Sequence, residues 1–318
     1  MRIVAALVVW FVACSALAQG YPNRPVRVVV PWPPGQATDI AARVVAQKLQ
    51  ESLSQPFVIE NKPGAGGAIG SDIVAKSTAD GYTLLAASSG PLSIMPNLQK
   101  IPYDPLKDFS PVSLVTLTAY ALVTQPSFPA ANAKEFVALL RANPGKYTFA
   151  TSGTGATAHL VTELFNAMAQ VQARHVPYKG SAPALTDVMI GQISYAIETV
   201  AATAPHIKSG RIKTFGVTTA RRSAALPDVP PLAESAGLPQ YDIAGWIGYA
   251  APAGTPHEFV ARLSGEIRKA LANDDLKERM VSLGLDAVST TPEEMAAYMR
   301  REQDRYGEII RNANIRVE

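Results

Sequence analysis

Short apolar runs alternate with segments of helical periodicity along most of the chain. The run at residues 26–30 contains four valines, which is typical of a strand that is covered on both faces. Further strands are predicted at residues 57–60, 83–87, 120–124, 147–150, 173–176, 193–197 and 212–217. Helices are predicted near residues 38–53, 68–77, 133–142, 157–169, 181–191, 256–272, 275–283 and 292–312. This alternation predicts an α/β protein with parallel sheets and crossover helices.

The first strand leads into a stiff loop. Pro31, Pro33 and Pro34 restrict the backbone there, and Gly35 supplies a position without a Cβ atom. Apolar residues recur at helical spacing from Thr38 onward, so a helix is predicted to begin at or near Thr38. The segment therefore predicts a strand, a rigid loop and a helix N-terminus in succession.

Residues 1–18 have the pattern of a signal peptide. Arg2 precedes an uncharged apolar run over residues 3–13, and residues 16–18 form the small-x-small pattern of a cleavage site. We expect export and removal of this leader. Cys14, the only cysteine, lies inside it, so an alternative reading makes Cys14 a lipid-anchored residue.

The remaining 300 residues (318 minus 18) exceed what one core usually organises, so two lobes are predicted. Proline-rich segments at residues 125–131 and 225–239 suggest that the chain crosses between lobes there. The prediction assigns residues 19–122 and 240–318 to the first lobe and residues 123–239 to the second. Two connections between α/β lobes leave a cleft that can close by hinge motion around a small ligand.

Charge and motifs exclude several classes of function. The formal net charge of +3 falls to +2 without the leader, so neither nucleic-acid binding nor a polybasic membrane patch is predicted. HExxH, GxSxG, P-loop and CxxC patterns are missing from the sequence, and the four histidines lack metal-ligand spacing. A GxGxxA pattern begins at Gly153, but the next predicted strand carries no acidic residue to bind a ribose. No catalytic residue, metal or cofactor is predicted.

Eight motifs occur in one order along residues 21–312: VVPWPPGQATDIAAR, ENKPGAGGAIGSDIVAK, ADGYTLL, IPYDPLKDF, HVPYKGSAPALTDVMIGQI, PHIKSGRIKTFGVT, LPDVPPLAESAG and APAGTP. Together they resemble the periplasmic solute-binding receptors of tripartite tricarboxylate transporters, also called Bug-type receptors. The resemblance implies a type II periplasmic-binding-protein fold with two α/β lobes and a hinged interlobe cleft. It also implies capture of a small organic carboxylate by loop backbone groups.

Three glycine- or hydroxyl-rich turns fall where strands are predicted to lead into helices, at residues 33–39, 86–93 and 150–157. Helix N-termini leave unpaired NH groups and carry a partial positive charge. Such turns can bind a carboxylate without an arginine. The resemblance then assigns ligand contacts in the first lobe to six residues: Trp32, Gln36, Thr38, Asp39, Ser88 and Ser89.

Three of these assignments have open questions. Asp39 can instead be a helix N-terminal carboxylate that the dipole favours, and Trp32 can be an aromatic residue packed between the lobes. The family usually has a second glycine where Gln36 stands. The Gln36 amide can therefore reach the ligand or narrow the pocket.

In the second lobe the resemblance assigns ligand contacts to Ser152, Gly153, Thr154, Thr157, His159 and Glu198. Two of them have alternatives. Glu198 can bind a ligand hydroxyl or amine, or pair with a lysine across the cleft, and His159 can cap or pack against its helix.

The predicted function is that of a monomeric periplasmic receptor that captures a mono- or dicarboxylate for a tripartite tricarboxylate-type transporter or for sensing. The membrane components of that transporter are its expected partners. The alternative is an exported hydrolase or isomerase that acts on a small carboxylate.

Overall fold

The computed structural model describes residues 20–315. The predicted signal peptide and Cys14 lie outside this range. Within it, no helix combines the length and the apolar character that crossing a membrane requires.

The described residues contain strands of two to ten residues. In chain order they are β1 (Val26–Val30), β2 (Phe57–Asn61), β3 (Thr83–Ser88), β4 (Phe109–Thr118), β5 (Tyr120–Thr124), β6 (Tyr147–Thr151), β7 (Ala173–Pro177), β8 (Tyr195–Thr199), β9 (Lys213–Val217), β10 (Gly245–Pro252) and β11 (Asp286–Ala287).

Helices connect most of these strands. In chain order they are α1 (Ala37–Leu53), α2 (Ala68–Ala75), α3 (Met95–Leu98), α4 (Ala133–Ala142), α5 (Thr157–Ala169), α6 (Ser181–Met189), α7 (Val200–Lys208), α8 (Leu232–Ser235), α9 (His257–Ala272), α10 (Asp274–Ser282) and α11 (Pro292–Asn312). A 3₁₀ turn at Ala65–Gly67 precedes α2, and a π turn at Gly90–Ile94 precedes α3.

The strands form two sheets, each at the centre of one lobe. The first has the strand order β11-β4-β10-β3-β1-β2, and the second has the order β7-β6-β8-β5-β9. β1 pairs in parallel with β2 and β3, and β6 pairs in parallel with β7 and β8. The sheets are mixed rather than purely parallel as expected, because β10 and β5 enter them antiparallel to their neighbours.

The chain crosses from the first sheet to the second at Ala119, the single residue between β4 and β5. Residues 120–122, which the sequence analysis placed in the first lobe, pair with β8 and β9 of the second sheet. The crossing lies inside one extended segment, so no proline-rich loop marks it. The return crossing falls between β9 and β10.

Both faces of the first sheet are buried, as the valine run predicts. Val28 and Val30 pack in the cluster that contains residues of α1 and α9, whereas Val29 packs on the opposite face with Leu85 and Trp246. A strand with apolar residues on both faces is stable here because both faces are buried.

Helix α11 joins the cores of the two lobes. Met295 and Met299 near its start pack in a first-lobe cluster, while Tyr306 and Ile310 near its end pack among second-lobe aromatic residues. The Tyr306 hydroxyl donates to the Ala244 carbonyl at 2.6 Å, next to the return crossing. The described lobes are therefore in close contact, and a cavity lies between them.

Candidate ligand-binding site

A cavity with about 410 Å³ of empty space lies between the lobes, where the strands of both sheets lead into helices. The residues that line it are Trp32, Gln36, Ala37, Thr38, Ser88, Ser89, Thr118, Tyr120, Ser152, Ala156, Thr157, Ala158, Ser181, Glu198, Thr199, Trp246 and Ile247.

The N-terminus of α1 forms one wall of the cavity. Gln36 is its N-cap residue, with φ −76° and ψ 159°, and no side chain caps the first turn. The NH groups of Ala37 and Thr38 lie in that first turn, where a helix offers no internal acceptor. Since α1 has 17 residues, its dipole adds a partial positive charge at this end.

The N-terminus of α5 forms the opposite wall. Its N-cap residue is Ala156, which has no side-chain oxygen, and no side chain caps this helix either. Thr157 and Ala158 lie in the first turn and line the cavity. Two helix N-termini, one from each lobe, thus present NH donors to the same enclosed space.

Hydroxyl groups complete the wall between these two helices. The Trp32 indole Nε1 donates to Ser88 Oγ at 2.9 Å, which fixes the ring against the end of β3. Ser89 Oγ lies 2.8 Å from Thr157 Oγ1, so this pair joins the two lobes. The Ser88 hydroxyl proton remains available to a ligand, because Ser88 is the acceptor in its bond to Trp32.

Three buried polar atoms of lining residues have no hydrogen-bond partner within residues 20–315: Gln36 Nε2, Thr118 Oγ1 and Trp246 Nε1. Gln36 is 8 % exposed and Thr118 is 2 % exposed. A buried polar group without a partner is destabilising by about 1–3 kcal/mol. A ligand oxygen within reach of these atoms would remove that cost, so they support a polar ligand in the cavity.

Glu198 is the single carboxylate of the described lining and is fully buried. Its Oε1 accepts from the Ser152 NH at 3.1 Å, and its Oε2 accepts from Ser181 Oγ at 2.8 Å and from the Thr199 NH at 3.2 Å. Burial raises the pKa of Glu198, and these hydrogen bonds oppose the rise. Among the described residues, no lysine pairs with Glu198, in contrast to one of the expected alternatives.

The described lining contains no lysine, arginine or histidine. A negatively charged group in this cavity would therefore be held by neutral donors and helix dipoles. Across residues 20–315, no cluster of histidine, cysteine or carboxylate side chains has the arrangement of a metal site.

The structure brings together eight of the twelve predicted site residues in the lining: Trp32, Gln36, Thr38, Ser88, Ser89, Ser152, Thr157 and Glu198. The Ser152 NH is already used by Glu198, and the Ser152 side chain also interacts with that carboxylate.

Asp39 lies outside the described lining. Its carboxylate accepts from the Gly35 NH at 3.0 Å, from Asn61 Nδ2 at 2.8 Å and from Arg43 Nε at 3.0 Å. Burial alone would raise the pKa of Asp39, but the hydrogen bonds from Arg43, Gly35 and Asn61 outweigh it and lower that pKa. Asp39 thus holds the Pro33–Gln36 loop in place. Its position at a helix N-terminus is compatible with this role and with ligand contact, so the sequence alone did not separate the two.

Gly153 and Thr154 line an outer groove instead of the inner cavity. This groove has about 1400 Å³ of empty space and also borders Gly66, Met95 and Tyr178. It shares Trp32 and Ser152 with the cavity, so these two residues lie between the two compartments.

His159 lies behind the cavity wall. Its Nδ1 accepts from the Gly155 NH at 3.4 Å, and its ring stacks on His175 with centroids 4.2 Å apart. Burial and the neighbouring His175 lower the pKa of His159 to about 3, and burial lowers that of His175 to about 4. His159 therefore supports the Gly155 turn, in agreement with the packing alternative.

Sequence reasoning missed several lining residues, notably Thr118, Tyr120, Ser181 and Trp246. Thr118 and Tyr120 flank the crossing at Ala119, and Trp246 lies on the strand that makes the return crossing. A search for polar and aromatic residues next to both crossings would have found these three. Ser181 begins α6 directly after a glycine, which is a local signal for a helix start.

The fold and the cavity define a two-lobed periplasmic binding protein. Residues 41–315 match the model of the tripartite tricarboxylate transporter family receptor. Protein BugT of Bordetella pertussis (strain Tohama I) is 38% identical over 311 residues, which cover 96% of this chain and 94% of BugT. The chain belongs to the family of tripartite tricarboxylate transporter receptors.

Solved structures agree with this assignment. The periplasmic binding protein BugD superposes with a TM-score of 0.88 at 34% identity, over 94% of this chain and 100% of BugD. The structure of R. palustris Rpa4515 with adipate superposes with a TM-score of 0.90 at 34% identity, over 93% of this chain and 99% of that one. The family and these neighbours are solute-binding proteins.

Proposed function

We propose that this protein captures a small organic carboxylate in the interlobe cavity, in the periplasm, for a tripartite tricarboxylate-type transporter or for sensing. The observation that carries the proposal is the pair of uncapped helix N-termini, at Ala37 and Thr157, on opposite sides of one enclosed cavity. Family membership and the adipate bound by Rpa4515 support the same class of ligand.

The donors are sufficient for tight binding without a cationic side chain. A hydrogen bond to a charged group contributes about 1.5–3 kcal/mol, so four of them give about 6–12 kcal/mol before association costs. Micromolar affinity requires about 8 kcal/mol. Gln36 Nε2 and Thr118 Oγ1, both without partners in the described protein, add further donors.

The protein is proposed to bind its ligand without converting it, and to act as a monomer. Among the cavity hydroxyls, Ser88 accepts from Trp32, Ser89 bonds to Thr157, and Ser181 donates to Glu198. The described lining contains no histidine, and His159 lies behind the wall with Nδ1 occupied by the Gly155 NH. Family membership and the solute-binding neighbours support capture over conversion.

Intrinsic fluorescence offers a direct test. After residue 18 the chain has only two tryptophans, Trp32 and Trp246, and both line the cavity. We expect titration with mono- and dicarboxylates and with amino acids to change the emission saturably for at least one compound. The same compound should raise the midpoint of thermal unfolding and be recovered unchanged by mass spectrometry.

Two results would contradict the proposal. One is the absence of binding across all carboxylates tested, and the other is chemical conversion of the bound compound, which would favour an exported hydrolase or isomerase. Trp246→Phe is the companion variant: it should reduce the emission change, because it removes one of the two tryptophans that line the cavity.

A further inference from the structure

We propose that Met95 is a site of reversible oxidation, and that its sulfoxide switches off ligand capture by holding the two lobes apart. The oxidant is a peroxide, which transfers one oxygen atom to the thioether. The inference goes beyond the proposed function, because it concerns how capture is controlled and not what is bound. It is carried by the position of the Met95 sulfur between two backbone turns, one from each lobe.

The Met95 sulfur lies against glycines of both lobes. A Cβ atom on Gly155, in the turn before α5, would lie 2.0 Å from Met95 Sδ, and one on Gly66, in the turn before α2, would lie 3.0 Å from it. The Cβ on Gly66 would also lie 3.0 Å from the Thr154 carbonyl oxygen, so the two turns meet directly. Met95 is 2 % exposed in this arrangement. Its sulfur therefore occupies a space that both lobes enclose and that exists only when they are close.

The other methionines of residues 20–315 lie within one lobe or on it. Three are buried in the cores of the first lobe, and two are half-buried against the clusters of the second; they are Met280, Met295 and Met299, and Met168 and Met189, respectively. Met95 instead lines the outer groove, and opening of the lobes would remove Gly155 from its sulfur. The access of an oxidant to Met95 therefore depends on how far the lobes are apart.

The chemical step requires only the thioether and the peroxide. A lone pair of the Met95 sulfur attacks one oxygen of hydrogen peroxide, so the S–O bond forms and the O–O bond breaks. The departing hydroxide takes the proton from the transferred oxygen and leaves as water. Sulfur loses two electrons and the peroxide gains them. Methionine sulfoxide reductases reverse the change by returning two electrons, so the modification is reversible.

The sulfoxide fits poorly into the closed arrangement. Oxidation makes the side chain polar and adds an oxygen atom that can only accept hydrogen bonds. Contact with Gly155 fills the space on one side of the sulfur. The Thr154 carbonyl is itself an acceptor, and the Gly155 NH already donates to His159 Nδ1 at 3.4 Å. A buried acceptor without a donor is destabilising, whereas water can bind the same oxygen when the lobes are apart. Oxidation of Met95 therefore favours the open arrangement.

Ligand capture and oxidation of Met95 then oppose each other. The cavity is bordered by both lobes, so a ligand in it favours the closed arrangement, in which Met95 is buried. A bound ligand protects the sulfur, and the sulfoxide weakens ligand binding. Both effects have the same origin, because the coupling between two sites is reciprocal.

The first experiment needs no ligand and therefore does not depend on the proposed function. The ligand-free protein is treated with increasing hydrogen peroxide, and each methionine is followed by peptide mass spectrometry. We expect Met95 to be oxidised about tenfold faster, or more, than the core residues Met280, Met295 and Met299. Oxidation of Met95 no faster than these three would overturn the inference and leave the proposed function intact.

The second experiment measures binding of adipate, malate, succinate and glutamate by calorimetry before and after oxidation. For a compound that binds, oxidation should weaken affinity about tenfold or more, and treatment with methionine sulfoxide reductases should restore it. Unchanged affinity after complete oxidation of Met95 would overturn the inference. Absence of binding by all four compounds before oxidation would count against the proposed function, and the rates of the first experiment would then decide the inference.

Two variants assign the loss of affinity to Met95. Met95→Leu keeps an apolar side chain of similar volume and cannot form a sulfoxide, so oxidation should change its affinity by less than about threefold, whatever its starting value. Met168→Leu removes a half-buried methionine and keeps Met95, so it should lose affinity on oxidation as the wild type does. A loss in oxidised Met95→Leu equal to that in the wild type would place the effect at another residue and overturn the inference.

Discussion

Ser89 Oγ and Thr157 Oγ1 lie 2.8 Å apart and connect the end of β3 in the first lobe to the start of α5 in the second. The Trp246 NH also donates to Ser89 Oγ, at 3.4 Å. Ser89 is 2 % exposed and Thr157 is 6 % exposed, so water does not compete freely for their hydroxyl groups. Because the bond exists only when the lobes are close, it stabilises the closed arrangement.

The hydroxyl pair gives the first prediction. Thr157→Val keeps the shape and removes the hydroxyl, and it should weaken ligand affinity about twofold to tenfold, since one hydrogen bond contributes about 0.5–1.5 kcal/mol. Ser89→Ala in the same background should add less than it does alone, because Ser89 then has only its long bond from the Trp246 NH to lose. Calorimetry on both single variants and the double variant measures this coupling. Fully additive losses would show that the two hydroxyls do not act as a pair.

Thr162→Val is the control for that series. Its hydroxyl is also buried on α5, but it donates to the Ala158 carbonyl within the helix, at 2.7 Å. We expect unchanged ligand affinity in this variant, whatever its effect on unfolding.

Two glycines and Met95 form a second contact between the lobes. A Cβ atom on Gly155 would lie 2.0 Å from Met95 Sδ, and one on Gly66 would lie 3.0 Å from the same sulfur and from the Thr154 carbonyl. The Met95 side chain, 2 % exposed, thus occupies a space that exists because both residues lack a side chain.

Gly155→Ala is expected to displace Met95, separate the lobes and weaken ligand binding at least tenfold. Gly145→Ala is the matched control: its φ of +73° is close to the +75° of Gly155, but nothing lies within 4 Å of the added Cβ. Both variants carry the backbone cost of a positive φ, about 1 kcal/mol. Calorimetry measures the loss of ligand affinity, and thermal unfolding measures the backbone cost that both variants share. Equal affinities in the two variants would refute the role of Met95.

The sequence predicts the first half of this site well because its signals are local. The valines of β1, the prolines that follow and the periodic apolar residues of α1 each favour one conformation over a few residues. The turns before α1 and α5 were therefore predicted within one or two residues. These local patterns do not determine the direction in which a single side chain points. The sequence therefore did not show that Asp39 and His159 point away from the cavity.

The sequence did not predict strands β4 and β10, for a different reason. Gly248 on β10 has low strand propensity, but a Cβ there would lie 2.6 Å from the Ser113 carbonyl of β4. Glycine is thus required by a close approach between residues distant in sequence. Since Thr118 and Trp246 lie on these two strands, the part of the cavity that they form depends on pairing that no local pattern reveals.

Asp39 gives a third prediction, on stability. Its pKa is lowered in the folded protein, so its contribution is present above the unfolded pKa of about 4 and is lost as the pH falls through the folded pKa. Asp39→Asn should lower the free energy of unfolding at pH 7 by about 1–3 kcal/mol, the cost of a broken buried network. The difference from wild type should shrink below about pH 4.

Asp274→Asn is the control, because Asp274 pairs with Lys277 at 2.9 Å on the exposed surface. Denaturant unfolding of both variants at pH 7 and pH 3.5 provides the measurement. If Asp39→Asn is as stable as Asp274→Asn at pH 7, the hydrogen bonds to Gly35 and Asn61 do not hold the loop.

The stacked histidines give the last prediction, on acid stability. Folding lowers the pKa of His159 to about 3 and that of His175 to about 4, both below the ordinary value of 6.5. The folded protein then binds fewer protons than the unfolded chain, so stability is full above about pH 6.5 and falls as the pH drops toward 4. Each histidine contributes a slope of up to about 1.4 kcal/mol per pH unit in that window.

His175→Phe preserves a ring between Phe149 and His159 but cannot take up a proton, so denaturant unfolding between pH 7 and pH 4 should show a shallower loss of stability. His257→Gln, at the exposed start of α9, should retain the wild-type slope, and a His175→Phe slope equal to that of wild type would exclude the stacked pair as the source of the acid sensitivity.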